Sequence, residues 1–203
     1  MLRLSTLACN ALLSWAGCAV AWGATLQVTV IDDKGKPLPG AVVFLDSPTA
    51  KAAFKPLAGV EIEQIAKQFS PTVALVTVGS QVSFPNRDKV RHHVYSFSPA
   101  KTFDLKLYTG TPANPVLFDK PGVVVLGCNI HDQMAAWVLV LETPYFGKTP
   151  ASGQVVLPHV PPGTYQLRVW HPGLPLGNPA QERAVTIGSA NLDATVPLKG
   201  VTQ

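Results

Sequence analysis

The chain has 203 residues, of which 47% are hydrophobic, 14% are charged and nineteen are proline, with a formal net charge of +4. Prolines spread along the whole length argue against long helices, and so mild a positive charge, scattered rather than clustered, excludes a nucleic-acid-binding protein. The length suffices for one large β domain or two small ones, either with a real core.

At the N-terminus, Arg3 is followed by no charged residue until Asp32, and the run from Leu4 to Val20 is rich in Leu, Ala and Ser. Ala19, Val20 and Ala21 have the small-x-small form that a signal peptidase needs. Residues 1–23 therefore read as a secretory signal peptide, cut near Ala21 or slightly later at Gly23 or Ala24, with an uncleaved anchor helix as the alternative. A lipoprotein signal through Cys18 fits poorly, because Trp15 stands where a Leu-like residue is expected. The expected compartment is the periplasm. Cys9 and Cys18 leave with the signal, so the exported chain keeps one thiol, Cys128, in a compartment that forms disulfides. Met1 aside, the only methionine is Met134, six residues further on.

From residue 25 the pattern is β. Residues 26–30 alternate, 32–35 turn, and 41–45 form a second strand, after which 46–59 are irregular. A new unit begins at Val60: residues 60–65 alternate, 69–71 break the pattern, and strands follow at 73–78 and 81–84, joined by a turn at Gly79 and Ser80. Beyond a polar stretch containing His92 and His93, residues 94–97 continue as strand. Residues 98–115 read as a loop with one short strand at 103–107. Apolar runs at 122–128 and 135–141 read as buried strands. After a joint at 143–147 come strands at 154–157, 164–170, 182–187 and 191–196. No stretch carries a helical period, and the fold class expected is all-β.

The seven residues between the two buried runs, Cys128-Asn129-Ile130-His131-Asp132-Gln133-Met134, gather a thiolate, an imidazole and a thioether on one short loop. A type 1 copper site takes such donors from a single loop: Cys and His in the trigonal plane and a weakly held Met on the axis. A second His must come from elsewhere, and His92 and His93 are the adjacent candidates. Neighbours on a strand point to opposite faces, so one of the two binds and the other does not. Zinc on Cys128, His92 and His131, with water in the fourth position, is the metal alternative, against which Met134 stands as a poor zinc ligand. Arg87, Lys89, Arg91, Lys101 and Lys106 flank this stretch, and read as a solvated face or as a surface that steers an acidic partner.

Residues 60–141 resemble the plastocyanin-like cupredoxins, and among them amicyanin and pseudoazurin most closely. The resemblance is carried by Phe69-Ser70-Pro71 and Val76-Thr77-Val78-Gly79-Ser80-Gln81-Val82-Ser83-Phe84 as opening strands, by Asn86, Arg87 and His92, and by the short spacing of Cys128, His131 and Met134. It implies a Greek-key β-sandwich holding one type 1 copper on His92, Cys128, His131 and Met134. His93 falls where the family usually has a bracing Asn, which leaves it as a brace or an alternative ligand. Residues 25–50 and 144–203 resemble two halves of a carboxypeptidase-regulatory-like, transthyretin-like β-sandwich, on the turn near Asp32, on Pro37-Leu38-Pro39-Gly40-Ala41, and on Leu157 through Leu167 around Pro161-Pro162-Gly163. Neither half has strands enough to stand alone. The ends are therefore expected to pair, with the cupredoxin unit, residues 55–143, inserted between them.

Together these readings imply an exported carrier of single electrons rather than an enzyme. The amicyanin-like features imply a setting such as methylamine utilisation, with a c-type cytochrome or an amine dehydrogenase as partner. Two other functions compete: a copper carrier or chaperone, and a non-redox binding module centred on aromatic residues near Tyr165 and Trp170 with a structural metal.

Overall fold

The computed structural model describes residues 23–202; the expected signal segment falls almost wholly outside them. As the alternation predicts, the described residues are all-β apart from one short helix of six residues. Among the described residues no helix is long and apolar enough to cross a membrane.

The outer body takes strands from both ends of the chain. β1 (Ala24–Ile31) buries every second side chain, among them Leu26, Val28 and Val30. It lies between β14 (Gln154–Val160), antiparallel, and β17 (Leu192–Pro197), parallel. The facing sheet runs in the order β13 (Phe146–Lys148), β2 (Val42–Asp46), β15 (Gly163–Trp170), β16 (Gln181–Ile187). Thr149 ties the two ends across 108 residues: its buried hydroxyl accepts from Ala41 N and donates to Leu38 O.

Residues 46–59, expected to be irregular, contain α1 (Pro48–Ala53). Ser47 caps it by accepting from Ala50 N, and Pro48 stands in its first turn. These are helix-start signals too local to leave a periodic trace.

The inner body begins with β3 (Val60–Glu61), a hairpin of β4 (Glu63–Ile65) and β5 (Gln68–Ser70), β6 (Val73–Thr77) and β7 (Ser80–Ser83). The stretch 60–65, expected as one strand, divides at Ile62: β3 pairs with β7 and β4 with β5. β8 (His92–Ser98), β9 (Lys101–Tyr108), β10 (Val116–Phe118), β11 (Gly122–Gly127) and β12 (Ala135–Leu141) complete it. A three-stranded sheet, β10-β7-β3, faces a five-stranded one, β6-β12-β11-β8-β9. Between them lies a core that includes Val76, Val82, Phe84, Val94, Phe118, Val124 and Leu126. β9 is an eight-residue strand, longer than the 103–107 expected, because Thr102, Asp104 and Lys106 face outward and only Phe103 and Leu105 between them give an apolar signal.

β12 explains why residues 135–141 read as a continuous apolar run. Ala136, Val138 and Val140 pack into the inner core, while Leu139 and Leu141, with Val73 of β6, belong to the core of the outer body. Both faces of the strand are covered, as in a central strand between two layers.

Candidate metal centre

β11 and β12 are antiparallel and register Gly127 opposite Ala135, which closes residues 128–134 as a loop at their end. The inward face of β11 runs Val124, Leu126 and then Cys128, and that of β12 runs back from Val138 and Ala136 to Met134. Strand parity thus turns the thiol and the thioether into the core from the two stems of one loop. A bond from Met134 N to His131 O closes the turn between them. At Gly127 a Cβ would come within 2.7 Å of the Tyr95 ring, so only glycine lets that ring lie over the strand end beside Cys128.

The fourth residue arrives on β8. His92 is wholly buried, on the inward face with Val94 and Ser96. His93 points the other way, where its Nε2 pairs with Asp104 and its ring lies 5.4 Å from Tyr95. The β8–β9 register shifts here: His92 opposes Tyr108 but Val94 opposes Leu105, so β9 carries one extra residue. This bulge leaves Lys106 and Leu107 both exposed and returns Tyr108 to the inward side, beside the site.

Of the predicted donors, His92, Cys128 and His131 present ligand atoms all within 4.8 Å of one another. Cys128 Sγ lies 4.0 Å from His92 Nδ1, and the ring centres of His92 and His131 are 5.1 Å apart. Met134 is buried in the same core as Cys128. His93 is not in this cluster. His131 Nδ1 is buried without a hydrogen-bond partner. A soft thiolate and two imidazole nitrogens within a few ångströms, one of them otherwise orphaned, fit one metal ion bound at about 2.0–2.3 Å to each.

Asn86, part of the segment that delivers His92, and three residues to which sequence reasoning gave no role surround this cluster. Asp88 Oδ2 lies 2.8 Å from His92 Nε2, and the same carboxylate accepts from Ala66 N and Lys67 N. Its pKa is held below the ordinary carboxylate value chiefly by the Lys67 N–H, with His92 and the Ala66 N–H adding to it. Asn86, buried, fixes Asp88 in turn: its Oδ1 accepts from Asp88 N, and its Nδ2 donates to Val90 O and Tyr108 O. Gln64, fully buried, donates to the Tyr108 hydroxyl at 2.6 Å and has an unpartnered Oε1. Tyr108 donates to Phe84 O, and burial pushes its pKa up to about 12. The signal for Asp88 is its place four residues before His92; Gln64 and Tyr108 left none, being brought in only by tertiary packing.

The basic flank is largely compensated. Arg87 pairs with Glu61 and Glu63, Lys101 with Asp119, and Lys106 with Asp104. His171 is a structural tie, its Nε2 3.1 Å from Pro39 O and its Nδ1 accepting from Gly173 N, while His159 is exposed. Tyr165 is buried, its hydroxyl donating to Pro161 O, whereas Trp170, though mostly buried, reaches the wall of a cleft between the two bodies. This cleft, of about 1460 Å3, separates the outer face of the five-stranded sheet from the outer body; Trp137, Phe97, Phe44 and Leu176 line it, and it reaches Cys128 and Asn129 at one end.

No family model and no curated protein matches this chain. Among solved structures it is similar to a purple cupredoxin from Nitrosopumilus maritimus, at 22% identity and a TM-score of 0.36, over 40% of this chain and 99% of that one. It is also similar to a point mutant of amicyanin in a reduced Cu(I) form, at 18% identity and a TM-score of 0.38, over 49% of this chain and 98% of the other. A third likeness is to a copper-containing nitrite reductase from Thermus scotoductus, at 23% identity and a TM-score of 0.38, over 55% of this chain and 28% of that chain.

Proposed function

We propose that the protein is an exported, mononuclear copper protein that carries single electrons between periplasmic redox partners. His92, Cys128 and His131 would hold the metal as strong donors, with Met134 as a weak axial one. The observation that supports this most is the triad of donor atoms within 4.8 Å, in which His131 Nδ1 has no other partner. Copper in such a set supplies a one-electron couple whose two oxidation states share nearly the same geometry.

The residues of the chain do the rest. Asp88 accepts a hydrogen bond from His92 Nε2–H, which leaves the Nδ1 lone pair facing Cys128. The thiol must lose its proton to bind, and the surrounding apolar side chains of the inner core keep water away from the sulfur. His131 is only half-buried, on a loop whose Asn129 and Ile130 are exposed, so this loop is the short way from solvent to the cluster. With four donors engaged there is no open position for a substrate, which favours a carrier over an enzyme. A c-type cytochrome or an amine dehydrogenase is the class of partner proposed.

The test is the visible and electron-paramagnetic-resonance spectrum of the protein loaded with Cu(II), alongside Cys128→Ser. An intense thiolate-to-copper band with narrow hyperfine splitting, absent from the variant, supports the reading. A colourless protein that retains zinc or no metal overturns it, and copper that binds without reversible reduction points instead to a copper carrier.

A further inference from the structure

The carboxylate of Asp88 serves two parts of the chain at once. Toward the metal centre, Oδ2 holds His92 Nε2 at 2.8 Å. Away from it, Oδ1 accepts from Ala66 N at 2.8 Å and Oδ2 from Lys67 N at 2.9 Å. Ala66 and Lys67 are the two central residues of the β4–β5 hairpin, with φ of 53° and 58°. A two-residue turn with both φ positive ordinarily uses Asn-Gly or a similar pair, because a Cβ is strained there. Here the strained backbone is held by the carboxylate, whose oxygens collect both turn amides. Local segments around it leave little freedom: Gln64 N donates to Pro85 O, Arg87 N donates to Gln64 O, and Asp88 N is bound by the buried Asn86.

Resting on the copper reading above, we infer that Asp88 is a positioning residue for the metal centre, one carboxylate shared between His92 and the left-handed Ala66–Lys67 turn. The conformation of a surface hairpin and the orientation of a buried ligand are therefore set together. Three donors converge on the two oxygens, so an amide at this position cannot replace the carboxylate: its NH2 must face either the imidazole N–H or a backbone N–H. Replacing the ionised carboxylate also withdraws negative charge from the imidazole, which favours the reduced metal.

The test compares wild type, Asp88→Asn, and Asp88→Asn combined with Ala66→Gly and Lys67→Gly, which relieves the turn without restoring the carboxylate. Three readouts are taken on each: copper affinity by chelator competition, reduction potential, and the His92 tautomer in the metal-free protein by nitrogen NMR. The expected result is an Nε2–H tautomer in wild type and its loss in Asp88→Asn. Affinity should fall about 10–100-fold with a rise in potential, and the glycine turn should recover thermal stability but neither affinity nor potential. An unchanged tautomer and affinity in Asp88→Asn overturns the inference, and so does recovery of affinity by the glycine turn, which would make the carboxylate a purely structural clamp. Because the tautomer is read without metal, a wild-type chain that takes up no copper counts against the functional reading alone.

Discussion

His92 and Cys128 stand 36 residues apart in the chain, yet the imidazole Nδ1 lies 4.0 Å from the thiol sulfur while the adjacent His93 faces the opposite side of its strand. That division of neighbouring histidines has a direct consequence. His92→Ala should abolish the thiolate-to-copper band, whereas His93→Asn should keep it with a small shift, since His93 contacts Asp104 and Tyr95 rather than the donor cluster. Loss of the band in both variants would contradict the assignment.

Tyr108 predicts a loss of stability at high pH. Folded, it keeps its proton to about 12; unfolded, it ionises near its ordinary value of 10.0. The unfolded chain therefore holds fewer protons between those values, and the slope of stability against pH is negative there. The contribution is fully present below pH 10 and disappears as pH rises toward 12. Its size is at most about 2 kcal/mol once partial exposure is allowed for. Denaturant unfolding of the metal-free protein across this range should show the decline, and Tyr108→Phe should flatten it.

Thr149 is the polar tie between the chain's two ends. Thr149→Val strands Ala41 N and Leu38 O in a buried setting, at a cost of about 2–4 kcal/mol. The copper spectrum of the folded variant should be unchanged, because none of the donor residues touches this tie. A spectral change would mean that the outer body shapes the metal site directly.

β12 offers a paired test of its two faces. Leu139→Ala empties space in the outer core and Val138→Ala in the inner one, each destabilising by roughly 1–4 kcal/mol. Only Val138→Ala should broaden the copper resonance, since Val138 shares a core with Cys128 and Met134. Equal effects on the spectrum would show that the strand transmits strain from either face.

What the sequence made legible was whatever depends on neighbours along the chain. Alternation at 26–30 and 164–170 marks half-buried strands, and the apolar run at 135–141 marks a doubly covered one. Cys128, His131 and Met134 stood out because one loop carries all three. The hairpin at 63–70 was obscured because its turn residues, Ala66 and Lys67, are not turn formers, and the left-handed backbone they adopt is bonded by the distant Asp88 carboxylate. Gln64 looked like an ordinary polar position of an alternating strand, yet it is fully buried, since the segment around Asn86 and the inward-turned Tyr108 close over it. Such partners are defined by tertiary packing, on which periodicity is silent.

Phe44 and Phe146 are opposite each other in the β2–β13 pair, close to where the chain leaves the outer body after Asp46 and returns to it at Tyr145. Holding together the ends of a loop roughly a hundred residues long carries a closure entropy of about 4 kcal/mol, met once for both bodies. Timing follows from the same topology. On a chain growing or crossing a membrane N-terminus first, β1 and β2 wait for β13 to β17, whereas every strand of the inner body has emerged by Leu141. The outer body is thus a clasp that shuts last, and until it does Leu139 and Leu141 lie bare on the back of the sheet that carries the stems of the 128–134 loop, the interval in which the protein is most exposed to aggregation.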